Sequence, residues 1–284
     1  MMTERELKAL VSLLDDNDDQ VVSEVTDKIR SLGKEVIPYL EQEWENNFNP
    51  LVQRKIENLI HDLQYELLKY RISDWYESKD QDLLTGLWLI ATYQYPDLEL
   101  EKLKQELEQI YYEAWLEFKP DLYTFDQVKV LNGVLFNKLK FGANTKNFHS
   151  PGNSLINVVL ETRKGNPISL CVIYMLVAQK LKLPIHGVNL PNLFILTYKD
   201  DKTQFYINAF NKGLIFSRQD IENYIHELHL APQPSFFEPC SSLEIVRRVF
   251  RNLIMSFDKM GEHGKAEEVK ELLLLIADGA DLGV

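Results

Sequence analysis

The chain has two cysteines, Cys171 and Cys240, whose thiols could attack a substrate and form a covalent intermediate. Cys171 comes soon after Asn166 and Pro167, a pair typical of a helix start. A thiol at a helix N-terminus has a lowered pKa, and it needs an imidazole to take its proton and a carboxylate to orient that imidazole. The chain has no CxxC pair and no histidine at a metal-ligand spacing from either cysteine. The sequence therefore predicts neither a disulfide framework nor a structural zinc site, and it fits a reducing compartment.

The helix that would carry this thiol is apolar on nearly every side. Apart from the thiol, only Ser169 and Tyr174 bear a polar group between residues 168 and 178. Such a helix is typical of the middle of a domain. After it the pattern turns extended, in runs at 185–190, 193–198, 204–208 and 214–216, with a charged turn at 199–202. These runs predict an antiparallel hairpin or meander, and a buried helix followed by antiparallel strands is an α+β arrangement.

Four motifs run through this region in order: N-S-L-I-N at 153–157, R-K-G-N-P-I-S-L at 163–170, G-V-N-L-P-N-L-F at 187–194 and N-A-F-N-K-G at 208–213. Together they resemble the SirB-type branch of the transglutaminase-like superfamily. Its pattern runs N-S-x-L-N, R-x-G-x-P-I-S-L, G-V-x-L-P-G-H-F and D-P-F-N-x-G. The resemblance covers roughly residues 128–217. It implies a papain-like core in which a helix N-terminus carries the nucleophile and two strands carry a histidine and an aspartate.

The chemical groups of that site are absent from the matching positions. The nucleophile position falls at or beside Ser169, inside the first turn of the helix, the imidazole position at Leu193 and the carboxylate position at Asn208. Loss of general-base catalysis commonly costs about 10²- to 10⁴-fold in rate, and triad members act as a unit. We therefore predict no transglutaminase or cysteine-protease activity of that kind. Two residues turn a helical side chain by about 200°, so Cys171 should face away from the site if Ser169 faces it, as a small buried hydrophobe.

Three hypotheses about function follow from this degenerate site. The first is a non-catalytic protein, a pseudoenzyme, that binds a protein or peptide. Its neutral pocket would be able to hydrogen-bond backbone groups and would be lined by Asn192, Leu193, Asn208 and Ser169. The second is a thiol enzyme of the same class that uses Cys171 with a base that the sequence does not reveal. The third is a structural subunit whose helical segments carry the function.

The histidines and cofactor motifs add no further site. His186 lies an odd number of residues before Leu193, which along an extended chain predicts opposite faces. His226 and His229 share one helical face but have no third ligand in view, so a solvated helix face is the better interpretation. The sequence contains no dinucleotide, P-loop or zincin motif. We expect no metal and no cofactor.

Helical patterns flank the central region on both sides. Apolar stripes over residues 7–14, 21–32, 36–40 and 51–63 predict helices joined by short turns, which resemble HEAT-like pairs. An ordinary helical bundle would give the same pattern. At the other end, stripes over 243–257 and 266–276 resemble one tetratricopeptide-like hairpin. The predicted organisation is a helical segment at 1–118 with HEAT-like units within 1–65, a transglutaminase-like core at 119–240, and a helical hairpin at 241–284.

Composition limits the partners of this 284-residue chain. Its 45% hydrophobic content excludes a disordered polyelectrolyte, and its net charge of −12 makes nucleic acid an unlikely partner in electrostatic terms. The first residues lack a secretory h-region, and the longest uncharged stretches are shorter than a membrane span. We therefore expect a cytoplasmic protein with a protein or peptide partner and no membrane contact. The sequence leaves its oligomeric state open.

Overall fold

The computed structural model describes residues 4–119 and 121–277. Its contacts divide the chain into two compact units, residues 1–71 and 72–284. This boundary falls inside a helix, whereas the sequence predicts boundaries after residues 118 and 240. The three-part organisation stays a prediction, and residues 1–3, 120 and 278–284 of its segments lie outside the described residues.

The first unit is helical. Its helices are α1 (Glu4–Ser12), α2 (Asp19–Arg30), α3 (Ile37–Asn46) and α4 (Pro50–Glu77), the last of which extends beyond the boundary. The acidic turn between α1 and α2 caps the second helix, because the Asp18 carboxylate accepts a hydrogen bond from the Gln20 N–H at 2.9 Å. Leucine, isoleucine and valine side chains from all four helices form one buried cluster. The likeness to HEAT repeats stays a prediction.

The second unit combines helices with a sheet. Its helices are α5 (Leu83–Thr92), α6 (Leu100–Trp115), α7 (Thr124–Asn132), which continues as a π-helix to Lys138, α8 (Ile156–Thr162), α9 (Pro167–Lys180), α10 (Arg218–Glu227), α11 (Ser242–Lys259) and α12 (His263–Leu274). Two residue pairs, β1 (Gly142–Ala143) and β2 (Lys164–Gly165), form a short parallel ladder. Helices α11 and α12 pack together where the sequence predicts a hairpin. Its tetratricopeptide character stays a prediction.

Four strands form the main sheet: β3 (Ile185–Leu190), β4 (Leu193–Lys199), β5 (Gln204–Asn208) and β6 (Leu214–Phe216). They pair antiparallel in chain order, as a meander. Both faces of this sheet are covered. One face packs against α10, and α9 packs against β3 and β4 from the other side. The unit is therefore an α+β fold with α9 buried at its centre, which agrees with the sequence pattern.

No described helix combines the length and the low polarity that a membrane crossing requires.

Candidate functional site

The N-terminus of α9 is built around Ser169. The Asn166 side chain accepts a hydrogen bond from the Ser169 N–H at 3.0 Å, and the Ser169 hydroxyl accepts one from the Asn166 N–H at 3.1 Å. The same hydroxyl donates to the Asn166 carbonyl at 3.1 Å. This reciprocal arrangement is a capping box, which satisfies N–H groups that have no partner inside the helix. The hydroxyl at the position that the resemblance assigns to the nucleophile thus stabilises the helix start.

The preceding motif supports this capping box. The Asn166 side chain donates to the Ser154 hydroxyl at 2.9 Å. Asn153 in turn donates to the carbonyls of Asn147 and Phe148, at 2.7 and 3.0 Å. Polar side chains buried in this way are stabilising only when their hydrogen bonds are made. These residues of the first two motifs therefore have a structural task.

Cys171 lies deeper, against the start of β4. Its side chain is fully buried, and its Sγ donates a weak hydrogen bond to the Phe194 carbonyl at 3.5 Å. Burial raises the pKa of this thiol far above its ordinary range, and a hydrogen bond from the Ala209 backbone offsets part of the shift. Among the described residues, no hydrogen bond or ring contact joins Cys171 to a histidine. The sulfur is therefore held as a neutral thiol.

The side chains of Ser169 and Cys171 point in different directions. Ser169 points back to the cap, and Cys171, two positions later, reaches the sheet. Ser169 does not face the strands, since the cap uses its hydroxyl. The expectation that Cys171 faces away was conditional on Ser169 facing the site, so it does not apply.

Leu193 and Asn208 come together on the face of the sheet that packs against α10. Side chains alternate along a strand, and the register places Leu193, Ile195, Tyr206 and Asn208 on one face. Leu193 and Asn208 line a cavity of about 230 Å³, and its other lining residues are Leu190, Phe216, Asp220, Ile221 and Tyr224. Sequence reasoning missed the α10 residues because no local spacing relates them to the strands.

The four residues nominated for a binding pocket therefore do not line one pocket in the described part of the chain. Leu193 and Asn208 share the 230 Å³ cavity, whereas Ser169 is buried at the cap of α9, on the other side of the sheet. Asn192 is exposed in the turn between β3 and β4, with φ at 58°. The sheet separates Ser169 from Leu193 and Asn208, because α9 and α10 cover opposite faces.

His186 lies on the same face as Leu193, contrary to the expectation from their odd separation. The turn between the strands places Leu190 directly opposite Leu193, and His186 opposite Thr197, so counting along one extended strand does not apply. Burial lowers the pKa of His186, and Lys199 lowers it further. Neighbouring carboxylates, which would raise that pKa, are not among the causes of the shift. His186 is therefore neutral at pH 7.

The other candidate pair, His226 and His229, is also separated. Helix α10 ends at Glu227, and His229 adopts the left-handed conformation with φ at 56°, so the two imidazoles do not share a helical face. In the described ranges, no three histidine, cysteine, aspartate or glutamate side chains form a group that could hold a metal.

Comparison with protein families matches residues 101–251, more than half of the chain, to the transglutaminase-like superfamily. Among curated proteins, a UPF0162 protein of Xylella fastidiosa (strain 9a5c) is 31% identical over 180 residues, which cover 60% of this chain and 63% of that protein. F-box only protein 21 of Mus musculus is 28% identical over 160 residues, 54% of this chain and 24% of that protein. The chain thus spans less than two thirds of these relatives. No solved structure matches it.

Proposed function

Because the chain belongs to the transglutaminase-like superfamily, we propose that it is a member without thiol catalysis, which acts in the cytoplasm by binding a protein or peptide. The observation that carries this proposal is the state of Cys171. Its thiol is fully buried, with its pKa raised, and the nucleophile in thiol catalysis is the thiolate.

The other two positions of the site support the same proposal. Leu193 has no group that accepts a proton, and Asn208 carries an amide in place of a carboxylate. Both side chains also point to the face of the sheet opposite α9. A proton transfer from Cys171 would therefore need a proton-accepting residue at one of these positions, with its side chain pointing towards α9.

The cavity at Leu193 has the properties of an anchor site for a peptide. Its volume of about 230 Å³ suits one large apolar side chain, and Leu193 and Phe216 supply apolar walls. The Asn208 Oδ1 accepts from the Asn211 N–H at 3.1 Å, while its amide nitrogen forms no hydrogen bond with a described residue. That nitrogen would donate to a backbone carbonyl of the partner, so we propose an apolar anchor beside one backbone hydrogen bond.

Selection of displayed random peptides on the full chain tests this proposal. We expect peptides selected on the wild type to lose about thirtyfold or more in affinity for Leu193→Lys, since loss of a central apolar anchor commonly costs about 2 kcal/mol or more. Leu230→Lys is the matched control, because Leu230 is 44% exposed and does not line the cavity. Equal affinity for both variants would contradict the proposed cavity.

A further inference from the structure

A second cleft, of about 600 Å³, lies between α6 and α8. It shares no lining residue with the cavity at Leu193. One wall carries Lys102 and Glu106, and the other carries Asn157 and Glu161; both pairs are spaced so that they lie on one helical face. The charged residues that line the cleft are Asp97, Lys102, Glu106, Glu161 and Arg163, and the amides of Gln94 and Asn157 line it as well.

Arg163 is held at the end of this cleft in a strained backbone conformation. It ends α8 with φ at 59°, in the left-handed region where helices usually place glycine. Its N–H donates to the Val159 carbonyl at 2.9 Å, and its carbonyl accepts from the Gly142 N–H at 3.0 Å. The backbone therefore fixes where the arginine side chain begins, at the cost of a conformation that an arginine rarely adopts.

The guanidinium of Arg163 has no polar partner among the described residues. Its Cζ lies 4.8 Å from the centre of the Phe141 ring, and its Nη1 is buried without a hydrogen bond. The Oδ1 of Asn157 is likewise buried and unpaired. Unmade hydrogen bonds of buried groups are costly, and that of a charged group more so. A donor and an acceptor are thus left unsatisfied on two residues that line one cleft.

Both residues belong to the first two motifs, but the capping of α9 does not use them. Asn153, Ser154, Asn166 and Ser169 bond to one another or to nearby backbone, as described above. The polar groups of Asn157 and Arg163 make no comparable bond in the described part of the chain.

The charges of the cleft define the ligand. Two cations and three carboxylates line it, and none of them forms an ion pair with a described residue. This mixture disfavours a phosphate, because the carboxylates would repel its nearly two negative charges more strongly than the single charge of a carboxylate. It suits a ligand with a carboxylate for the arginine, an N–H donor beside it and a cation further along. A volume of 600 Å³ is in the range of pockets for ligands larger than a single amino acid.

We propose that this cleft binds the C-terminal end of a peptide. The α-carboxylate pairs with the Arg163 guanidinium, an arrangement that planar guanidinium groups make with two parallel hydrogen bonds. The adjacent backbone N–H donates to the Asn157 Oδ1, and a basic side chain of the peptide lies between Glu106 and Glu161. This inference rests on the proposed function only in taking a peptide as partner, and either site can fail without the other.

Titration calorimetry with the full chain tests the proposal. The probe is a pool of N-acetylated pentapeptides that have lysine as the second residue from the N-terminus and a free C-terminal carboxylate. Matched pools are the same peptides with an amidated C-terminus, and the free amino acids. We expect binding of the free-carboxylate pool that is at least tenfold tighter than that of either matched pool.

The Arg163→Gly variant separates a binding role from a structural one. Glycine suits the left-handed position, so the melting temperature should not fall, while affinity for the free-carboxylate pool should drop at least tenfold. Leu193→Lys should leave that affinity unchanged. The proposal would be overturned if the amidated pool or the free amino acids bound as tightly as the free-carboxylate pool, or if no pool bound. It would also be overturned if Arg163→Gly kept its affinity for the free-carboxylate pool. Loss in Leu193→Lys alone would assign the peptide to the other cavity.

Discussion

Replacement of Phe194 by alanine is expected to lower the free energy of unfolding by about 3–5 kcal/mol, the usual cost of removing a large buried aromatic side chain. Phe194 is 2% exposed, and its ring fills the space beside Gly187, where an added Cβ would come within 2.7 Å of the ring. Its carbonyl is also the acceptor for the Cys171 thiol. The variant therefore opens a cavity beside the element that keeps the thiol buried.

Urea unfolding of the full chain, followed by circular dichroism, measures this loss. Phe148→Ala is the control with the same change of side chain, since Phe148 is 50% exposed and loses much less burial. Equal costs for the two variants would mean that the Phe194 ring is not part of the packed core. Phe194→Leu should recover most of the loss, because it keeps much of the apolar volume.

Replacement of Gly165 by alanine is expected to cost about 2–4 kcal/mol. An added Cβ would lie 2.4 Å from the Ser169 Oγ and 3.0 Å from a Val159 methyl. The serine would have to leave the capping box, which costs about 1 kcal/mol, and the crowding against Val159 adds about 1–3 kcal/mol of overpacking. The same glycine is part of the R-x-G-x-P-I-S-L motif, so the variant tests whether that motif is structural.

Gly133→Ala is the matched control for this prediction. Gly133 is helical, with φ at −59°, and an added Cβ there meets nothing within 4 Å. Alanine should therefore raise stability by about 0.5–1 kcal/mol at this position. In a double-mutant cycle, Gly165→Ala with Ser169→Ala should cost less than the sum of the two single variants, because the shorter side chain removes the clash. Strict additivity would contradict the packing of Gly165 on Ser169.

The elements around the site could be predicted from local sequence. Asn166 and Pro167 mark the start of α9, and the alternation of apolar residues marks the four strands of the meander with their turns. These features depend on chemistry within a few residues of each position, on caps, turns and periodicity.

The composition of the site could not be predicted in this way. Strand alternation places Leu193 and Asn208 on one face, but which helix covers that face depends on contacts far apart in sequence. The turn between β3 and β4 also places Leu193 on the same face of the sheet as His186, which counting along one strand does not predict. The direction of the Ser169 side chain depends on its hydrogen bonds at the helix start, and the family pattern does not predict these bonds.

The central claim, that Cys171 is a core residue and not a nucleophile, is tested most directly by alkylation of the native chain with iodoacetamide from pH 5 to 9, read by mass spectrometry. Burial raises the pKa of both thiols, to about 12 for the partly exposed Cys240 and further for Cys171. Over this range Cys240 should therefore react slowly, at a rate that rises about tenfold per pH unit as its small thiolate fraction grows. Cys171 should stay unmodified until denaturant is added, after which both should react alike. Modification of native Cys171 faster than Cys240, with a rate already constant below pH 7, would show a stabilised and accessible thiolate and would contradict the claim.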